Sequence, residues 1–302
     1  MKRAGLVRLL LLGLIWGSNF LWIKVALRGL TPAEVVLVRL ALGALVLVPI
    51  IHASGDRLPQ SPRLWGHLAV AAVFANVVPY LLFAYGEQQV DSAVAGVLNA
   101  TTPLWTILIA SAVGLEKQSS AAKLLGIALG FVGAVVIFAP WQLGSQIMSW
   151  GGFACLLAAA SYGVSFVYMA RFLIGRGLGP LSLSASQLIA ATLLTAVAAP
   201  FLGVRLPTWR GDAVAAGLIL GTIGTGIAYL LNYRLIVDEG ASTASTVIYL
   251  LPVVAVVLGA AVLGESLPLN VLVGMAIVLA SIALVRRSPA RLGQTPDPRA
   301  LG

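Results

Sequence analysis

Apolar residues run through this chain in long blocks separated by short polar or charged stretches, with neither strict alternation nor a narrow one-faced stripe. Ten blocks can be counted: 6–27, 33–53, 66–86, 91–114, 121–139, 149–173, 181–202, 212–236, 242–263 and 268–286. Each is long enough to cross a bilayer as a helix, which takes about 20 residues. In hydrocarbon, backbone groups must be bonded within the protein, so these blocks predict an all-α integral membrane protein. The first block follows a basic start, MKRAGLVRLLLLGLIWG, much as a secretion signal would. It continues through Leu27 without a small-residue cleavage site, which predicts a retained span. From Arg287 on, the chain is rich in Pro, Gly and Arg, which predicts a disordered tail.

The blocks repeat. Tyr80–Glu116 (YLLFAYGEQQVDSAVAGVLNATTPLWTILIASAVGLE) returns as Tyr229–Glu265 (YLLNYRLIVDEGASTASTVIYLLPVVAVVLGAAVLGE). Tyr80 matches Tyr229, Pro103 matches Pro252 and Glu116 matches Glu265, all at an offset of 149 residues. Trp16-Gly17 and Phe20 resemble Tyr162-Gly163 and Phe166, and Pro32 and Arg39 align with Pro180 and Gln187. Five spans per copy is an odd number, so the second copy enters the membrane upside down. The expected architecture is ten transmembrane helices forming two inverted five-helix repeats around a central cavity, an arrangement typical of secondary transporters. The units are residues 1–139, a linker at 140–148, residues 149–286, and the tail at 287–302.

Composition agrees with this pattern. Of 302 residues, 60% are hydrophobic and 10% charged, against about 25% charged in soluble domains. The net charge of +9 does not indicate nucleic-acid binding, because the basic residues flank apolar spans. With the N-terminus in the cytoplasm, that side holds Lys2, Arg3, Arg8, Arg57, Arg63, Lys117, Lys123, Arg171, Arg176, Arg234, Arg286 and Arg287, among others. The opposite side holds only Arg28, Arg205 and Arg210. This bias predicts both termini inside. Cys155 is the sole cysteine, so no disulfide framework or thiolate metal site is expected. His52 and His67 suggest no metal site either, and no cofactor motif is present.

Candidate chemistry lies on helical faces inside the spans, where polar side chains should point inward. Trp16 and Asn19 share a face with Phe20, and Asn76 shares one with Tyr80 and Phe83. Further faces carry Asn99, Thr102 and Thr106 beside Trp105; Ser161, Ser165 and Tyr168 beside Tyr162; Thr225, Tyr229 and Asn232; and Ser242, Ser245 and Tyr249. Trp16, Asn19, Tyr80, Asn99, Trp105, Tyr162, Ser165, Tyr229 and Tyr249 are the expected substrate-binding set: aromatic walls with few polar contacts, suited to a small amphiphilic or aromatic solute. Each Ser, Thr or Asn could equally bond helix to helix. Pro103 and Pro252 free the carbonyls of Asn99 and Ile248, as a simple kink or as a mobile hinge.

Charges matter partly by their positions. No acidic residue lies near the centre of a span, so no intramembrane proton relay is evident. Glu87 and Asp91, near a mouth, are the available alternatives. Lys24 and Arg39 are the embedded cations. Lys24 either attracts a carboxylate or snorkels to the surface; Arg39 either pairs locally or holds helix-end carbonyls. The chain has no P-loop, metalloprotease or nucleophile-elbow motif, so an enzyme is not expected.

The WGSNF stretch at Trp16–Phe20 followed by Lys24, Arg39 in the second span, and the ATTPLW…LE and YLLPVV…GE hairpins resemble the drug/metabolite transporter superfamily. The likeness covers roughly residues 6–286 and points to the ten-span EamA-type branch, within which the chain is similar to YddG-type exporters of aromatic amino acids. The resemblance implies alternating access and export of neutral amino acids or related metabolites across a bacterial inner membrane. It carries Trp16, Asn19, Lys24 and the Pro103 and Pro252 hairpins over as family positions. Ala170 opposite Lys24 and Gln187 opposite Arg39 confine any charge role to the first repeat. The implied partners are the lipid bilayer and a small-molecule solute, with no nucleic acid. The oligomeric state is left open, a monomer being compatible. The alternatives are a proton-coupled exporter of lipophilic cations, a nucleotide-sugar carrier and a non-transporting scaffold.

Overall fold

The computed structural model describes residues 3–86, 89–90, 92–115, 120–138, 148–202, 210–251, 253–254, 257 and 269–287. Every regular element among them is helical. The chain begins with α1 (Arg3–Ala26) and α2 (Pro32–Ser54). Then α3 (Pro62–Ala72) runs through a π-helical stretch, Val73–Val77, into α4 (Val78–Gly86). Next come α5 (Ser92–Asn99), α6 (Thr102–Ala112) and α7 (Ala121–Phe138). After them, α8 (Trp150–Tyr168) ends in a π-helical turn at Met169–Leu173, and α9 (Pro180–Ala198) precedes a 3₁₀ turn at Ala199–Phe201. A second π-helical stretch, Thr222–Ile227, joins α10 (Gly211–Gly221) to α11 (Ala228–Glu239). Last are α12 (Ala241–Ala244), a 3₁₀ stretch at Ser245–Tyr249, and α13 (Leu269–Arg287).

Among the described residues, six segments are long and apolar enough to cross a membrane: Pro32–Ser54, Pro62–Phe83, Ala95–Ala112, Trp150–Leu173, Pro180–Phe201 and Gly211–Glu239. Shorter apolar helices lie at Ala121–Ile137 and Leu272–Val285. Of the ninth expected span, 242–251, 253–254 and 257 are described, and the remainder lies outside the described residues. Large aliphatic side chains stay exposed on the outer faces, Leu45 at 66%, Leu193 at 61% and Val197 at 76%. Such surfaces suit lipid and would be a liability in water.

Local sequence sets the helix starts. Thr31 caps α2 with a reciprocal box: its hydroxyl accepts from the Glu34 amide at 3.4 Å, and its own amide donates to the Glu34 carboxylate at 2.7 Å. Pro32 and Pro180 open α2 and α9, where a missing N–H costs nothing. Ser149 caps α8 by accepting from the Gly152 amide at 3.1 Å.

Helices from before residue 139 pack against helices from after 148, so the two parts of the chain interlock. α1 runs antiparallel to α10–α11, with Arg8 paired to Asp238 at one end and Arg28 to Asp212 at 3.6 Å at the other. α7 and α13 also run antiparallel: Gly126 faces Ser281 and Val285, and Gly133 faces Gly274 and Val278. A Cβ on Gly133 would stand 2.9 Å from the Gly274 carbonyl, which is the close backbone approach that small residues allow in membranes. α4 meets α8 where Gly86 touches Gly151 and Cys155, and α2 meets α9 where Gly43 touches Leu188. α6 lies parallel to α8: Gly163 sits on Trp105, and Arg171 donates to the Val113 carbonyl at 2.6 Å.

Candidate functional site

The two π-helical stretches lie at matched positions in the repeat, Val73–Val77 and Thr222–Ile227. A π turn inserts one residue into an α-helix, turns backbone carbonyls out of register, and is frequent at functional sites. Here side chains from other helices take up those carbonyls. Ser161 of α8 donates to Phe74 O at 2.8 Å, and the Tyr229 hydroxyl donates to Ala75 O at 3.3 Å. On the matched stretch, Asn19 of α1 donates to Gly224 O at 3.3 Å. A Cβ on Gly224 would stand 2.4 Å from Asn19 Oδ1, so a larger residue there would displace the Asn19 amide.

Polar side chains link the same stretches to α2 and α9. Arg39 Nε donates to Thr225 Oγ1 at 3.1 Å, and Gln187 Nε2 donates to Asn76 Oδ1 at 3.2 Å. These are one contact made twice: Gln187 matches Arg39 at an offset of 148, and Thr225 matches Asn76 at 149. The second copy is closed further. The Tyr233 hydroxyl donates to Gln187 Oε1, and Asn76 Nδ2 donates to the Tyr229 hydroxyl. Gln187 and Asn76 are fully buried, as such bonding permits.

Aromatic rings gather around this network. Trp16 meets Tyr229 edge-on, with centroids 6.5 Å apart and planes at 68°. The Arg39 guanidinium lies over the Tyr80 ring, 4.6 Å from its centroid. Tyr162 stacks on Phe83 at 6.1 Å and 28°. Tyr80, Tyr162 and Arg39 all lie within electrostatic reach of Tyr229. Trp16, Asn19, Tyr80, Tyr162 and Tyr229 from the expected set are therefore brought to one region with Arg39, the embedded cation. Asn76, Thr225, Gln187 and Tyr233 join them. The first two stood on expected inward faces and Gln187 stood opposite Arg39, but no sequence signal pairs them. Asn19 Oδ1 and Asn232 Oδ1 are buried acceptors without a donor among the described residues.

The rest of the expected set makes its bonds outside this network. Asn99 and Trp105 flank the break between α5 and α6, just before Pro103 in the first turn of α6. There Thr101 Oγ1 donates to Leu98 O at 2.6 Å, Trp105 Nε1 donates to Thr101 Oγ1 at 3.2 Å, and Thr102 Oγ1 donates to Asn99 Oδ1 at 3.4 Å. Trp105 packs on Gly163, one residue from Tyr162. Ser165 donates into its own helix, to Tyr162 O at 2.8 Å. Tyr249 has no exposed face: its hydroxyl donates to Ile127 O at 2.8 Å and its ring covers Gly130. In this state Tyr249 packs α7 and lines no opening. Glu87, Pro252 and the Lys24 side chain lie outside the described residues. Among those described, no three His, Cys, Asp or Glu residues converge as a metal site. A separate cleft of about 270 Å³ opens at the end of α1 and α11, lined by Ala4, Gly5, Arg8, Asp238 and Glu239.

A bundle of apolar helices interlocked through glycines around a buried polar and aromatic cluster defines a multi-pass helical membrane protein. The chain belongs to the EamA-like transporter family, whose profile matches it twice, over residues 3–139 and 149–287. A protein of Archaeoglobus fulgidus named "Uncharacterized transporter" is 28% identical over 90% of this chain and 95% of its own length. Escherichia coli "Uncharacterized inner membrane transporter YedA" is 25% identical over 90% of this chain and 87% of its own. The "Probable terminal-alkyne amino-acid exporter" of Streptantibioticus cattleyicolor is 27% identical over 90% of both chains. One solved crystal structure overlays with a TM-score of 0.79, covering 95% of this chain and 99% of that one at 19% identity, a likeness of fold. The protein is a transporter and not an enzyme.

Proposed function

We propose that the chain is a secondary transporter that exports small neutral metabolites, foremost aromatic and other neutral amino acids. In this reading it forms ten transmembrane helices in two inverted five-helix repeats, divided at 140–148, with both termini cytoplasmic. The observation that carries it is the matched pair of contacts, Arg39 to Thr225 and Gln187 to Asn76, beside matched π-helical stretches. Inverted repeats place the solute site near the midplane between the halves. The twofold match of the family profile and the amino-acid exporter among the relatives support the same reading.

The solute stacks on Trp16, Tyr80, Trp105 and Tyr162, with Asn19 and Asn99 beside its charged ends. The two halves rock against each other, and the hairpins bend at the break before Pro103 and at its counterpart before Pro252. Lipophilic cations fit this site poorly, because the buried charge described in it, Arg39, is positive. Counterflow in liposomes carrying the purified protein tests the reading. Labelled phenylalanine and threonine should exchange whether or not a pH gradient is imposed. Exchange of a quaternary ammonium dye in their place, driven by the gradient, would make the protein a proton-coupled drug exporter.

A further inference from the structure

We propose that Arg39 is an anion receptor within the membrane, and that it holds the carboxylate of the transported solute. The proposal rests on the transporter reading above and adds a chemical class: solutes bearing a carboxylate, recognised by a forked guanidinium.

Arg39 is 7% exposed, yet no ion pair involves it among the described residues. A guanidinium carries five N–H donors. Nε is bonded to Thr225, while the terminal nitrogens donate to none of the described residues. A guanidinium this deep, without a counter-ion among the described residues, adds no stability by itself. The repeat supplies the control. At the matched position Gln187 is neutral, fully buried and bonded at both ends, to Asn76 and to Tyr233. The residue matching Tyr233 in the first repeat is Ala84, which has no hydroxyl to offer. One fold position is thus closed by the protein in one repeat and left with spare donors in the other.

The setting also prepares the guanidinium for a carboxylate. The guanidinium carbon lies over the Tyr80 ring, 4.6 Å from its centroid, and Thr225 holds Nε at 3.1 Å, so two contacts fix the position of the group. That leaves the terminal edge for a two-pronged contact, which a carboxylate matches and a neutral amide does not. Tyr229 lies within electrostatic reach of Arg39, and Trp16 meets Tyr229 edge-on at 6.5 Å, so aromatic surface adjoins the site for the remainder of the solute.

The test is thermal stabilisation of the purified, detergent-solubilised protein by phenylalanine, phenylalaninamide, benzoate and benzamide, run alongside phenylalanine counterflow. Each carboxylate should bind at least about 10-fold more tightly than its amide, a difference of about 1.4 kcal/mol. In Arg39→Gln, which copies the second repeat, the preference should vanish. In Arg39→Lys, which keeps the charge and loses the fork, it should shrink. Wild type without the preference overturns the proposal, as does R39Q with it intact. If R39Q does not fold, R39K decides, and unchanged carboxylate affinity there overturns it. Arg39-dependent binding of benzoate without phenylalanine exchange would keep the anion site and remove the amino-acid reading. Phenylalanine exchange with a preference indifferent to Arg39 would do the reverse.

Discussion

Arg39 and Thr225 are joined across the interface between the two parts of the chain: Nε donates to Oγ1 at 3.1 Å, and that hydroxyl donates in turn to the Leu220 carbonyl at 2.8 Å. One hydroxyl therefore ties a buried cation to a carbonyl just ahead of a π-helical stretch. Thr225→Val keeps the shape and removes both bonds. Leaving a buried donor and acceptor unmatched costs about 1–3 kcal/mol. Thermal melting in detergent should show that loss for T225V, and Thr225→Ser should recover most of it. Equal melting of T225V and wild type would mean that the hydroxyl is idle.

The second copy of the contact should behave as a unit. Gln187 bonds Asn76 and Tyr233, and all three are buried. Hydrogen bonds between membrane helices couple by about 0.6 kcal/mol on average and up to about 1.7. A double-mutant cycle of Gln187→Leu and Tyr233→Phe should give coupling in the upper part of that range, because the bond is sealed from water and lipid. Additive losses would show that the two side chains act independently.

The sequence displays the helices and the repeat because both leave marks in one dimension. Apolar runs have lengths, and Tyr80 and Tyr229 share an offset. The capping box at Thr31 and Glu34 and the prolines at helix starts are likewise local chemistry. The partners are not legible in this way. Leu in lipid and Leu in a helix interface look alike, so the wheel that placed Tyr249 on an inward face could not tell an opening from the surface of Gly130. The π-helical stretches have no composition of their own, since FANV and IGTG read as ordinary apolar helix. Arg39 and Gln187 were visible as a mismatch between repeats. Only the fold shows that Asn76 and Thr225 meet them at equivalent points.

The α7–α13 seam should tolerate no added bulk. A Cβ on Gly133 would lie 2.8–2.9 Å from Val278 and the Gly274 carbonyl, whereas one on Gly66 meets nothing within 4 Å. Gly133→Val should abolish or sharply lower the yield of monodisperse protein on size exclusion. Gly66→Ala should be neutral or stabilise by up to about 1 kcal/mol, the helix-propensity difference between the two residues. Equal yields would show that the two helices separate freely.

Transport should depend on rings that the fold does not need for assembly. Tyr80 and Trp105 are both only partly buried, so truncation leaves no sealed cavity. Tyr80→Ala and Trp105→Ala should reach the membrane at wild-type levels and lower phenylalanine exchange at least about 10-fold, a loss of about 1.4 kcal/mol. Normal exchange by both variants would move the solute site away from this cluster.

Orientation can be read with cysteine chemistry. Cys155 is buried, with its sulfur against Gly86, so the folded protein should resist maleimide until it is denatured. In a Cys155→Ser background, single cysteines can be placed at exposed loop positions on the two predicted sides. Gln60 lies between α2 and α3 on the side expected to be cytoplasmic, and Gly211 opens α10 on the side expected to be opposite. A membrane-impermeant maleimide added to intact spheroplasts should label Gly211→Cys and spare Gln60→Cys, with both labelled once the membrane is opened. That pattern follows from the basic residues, since Arg57 and Arg63 bracket Gln60 and cytoplasmic loops retain positive charge. The reverse pattern would invert the protein in the membrane. It would leave the contacts of Arg39 and Gln187 as they are.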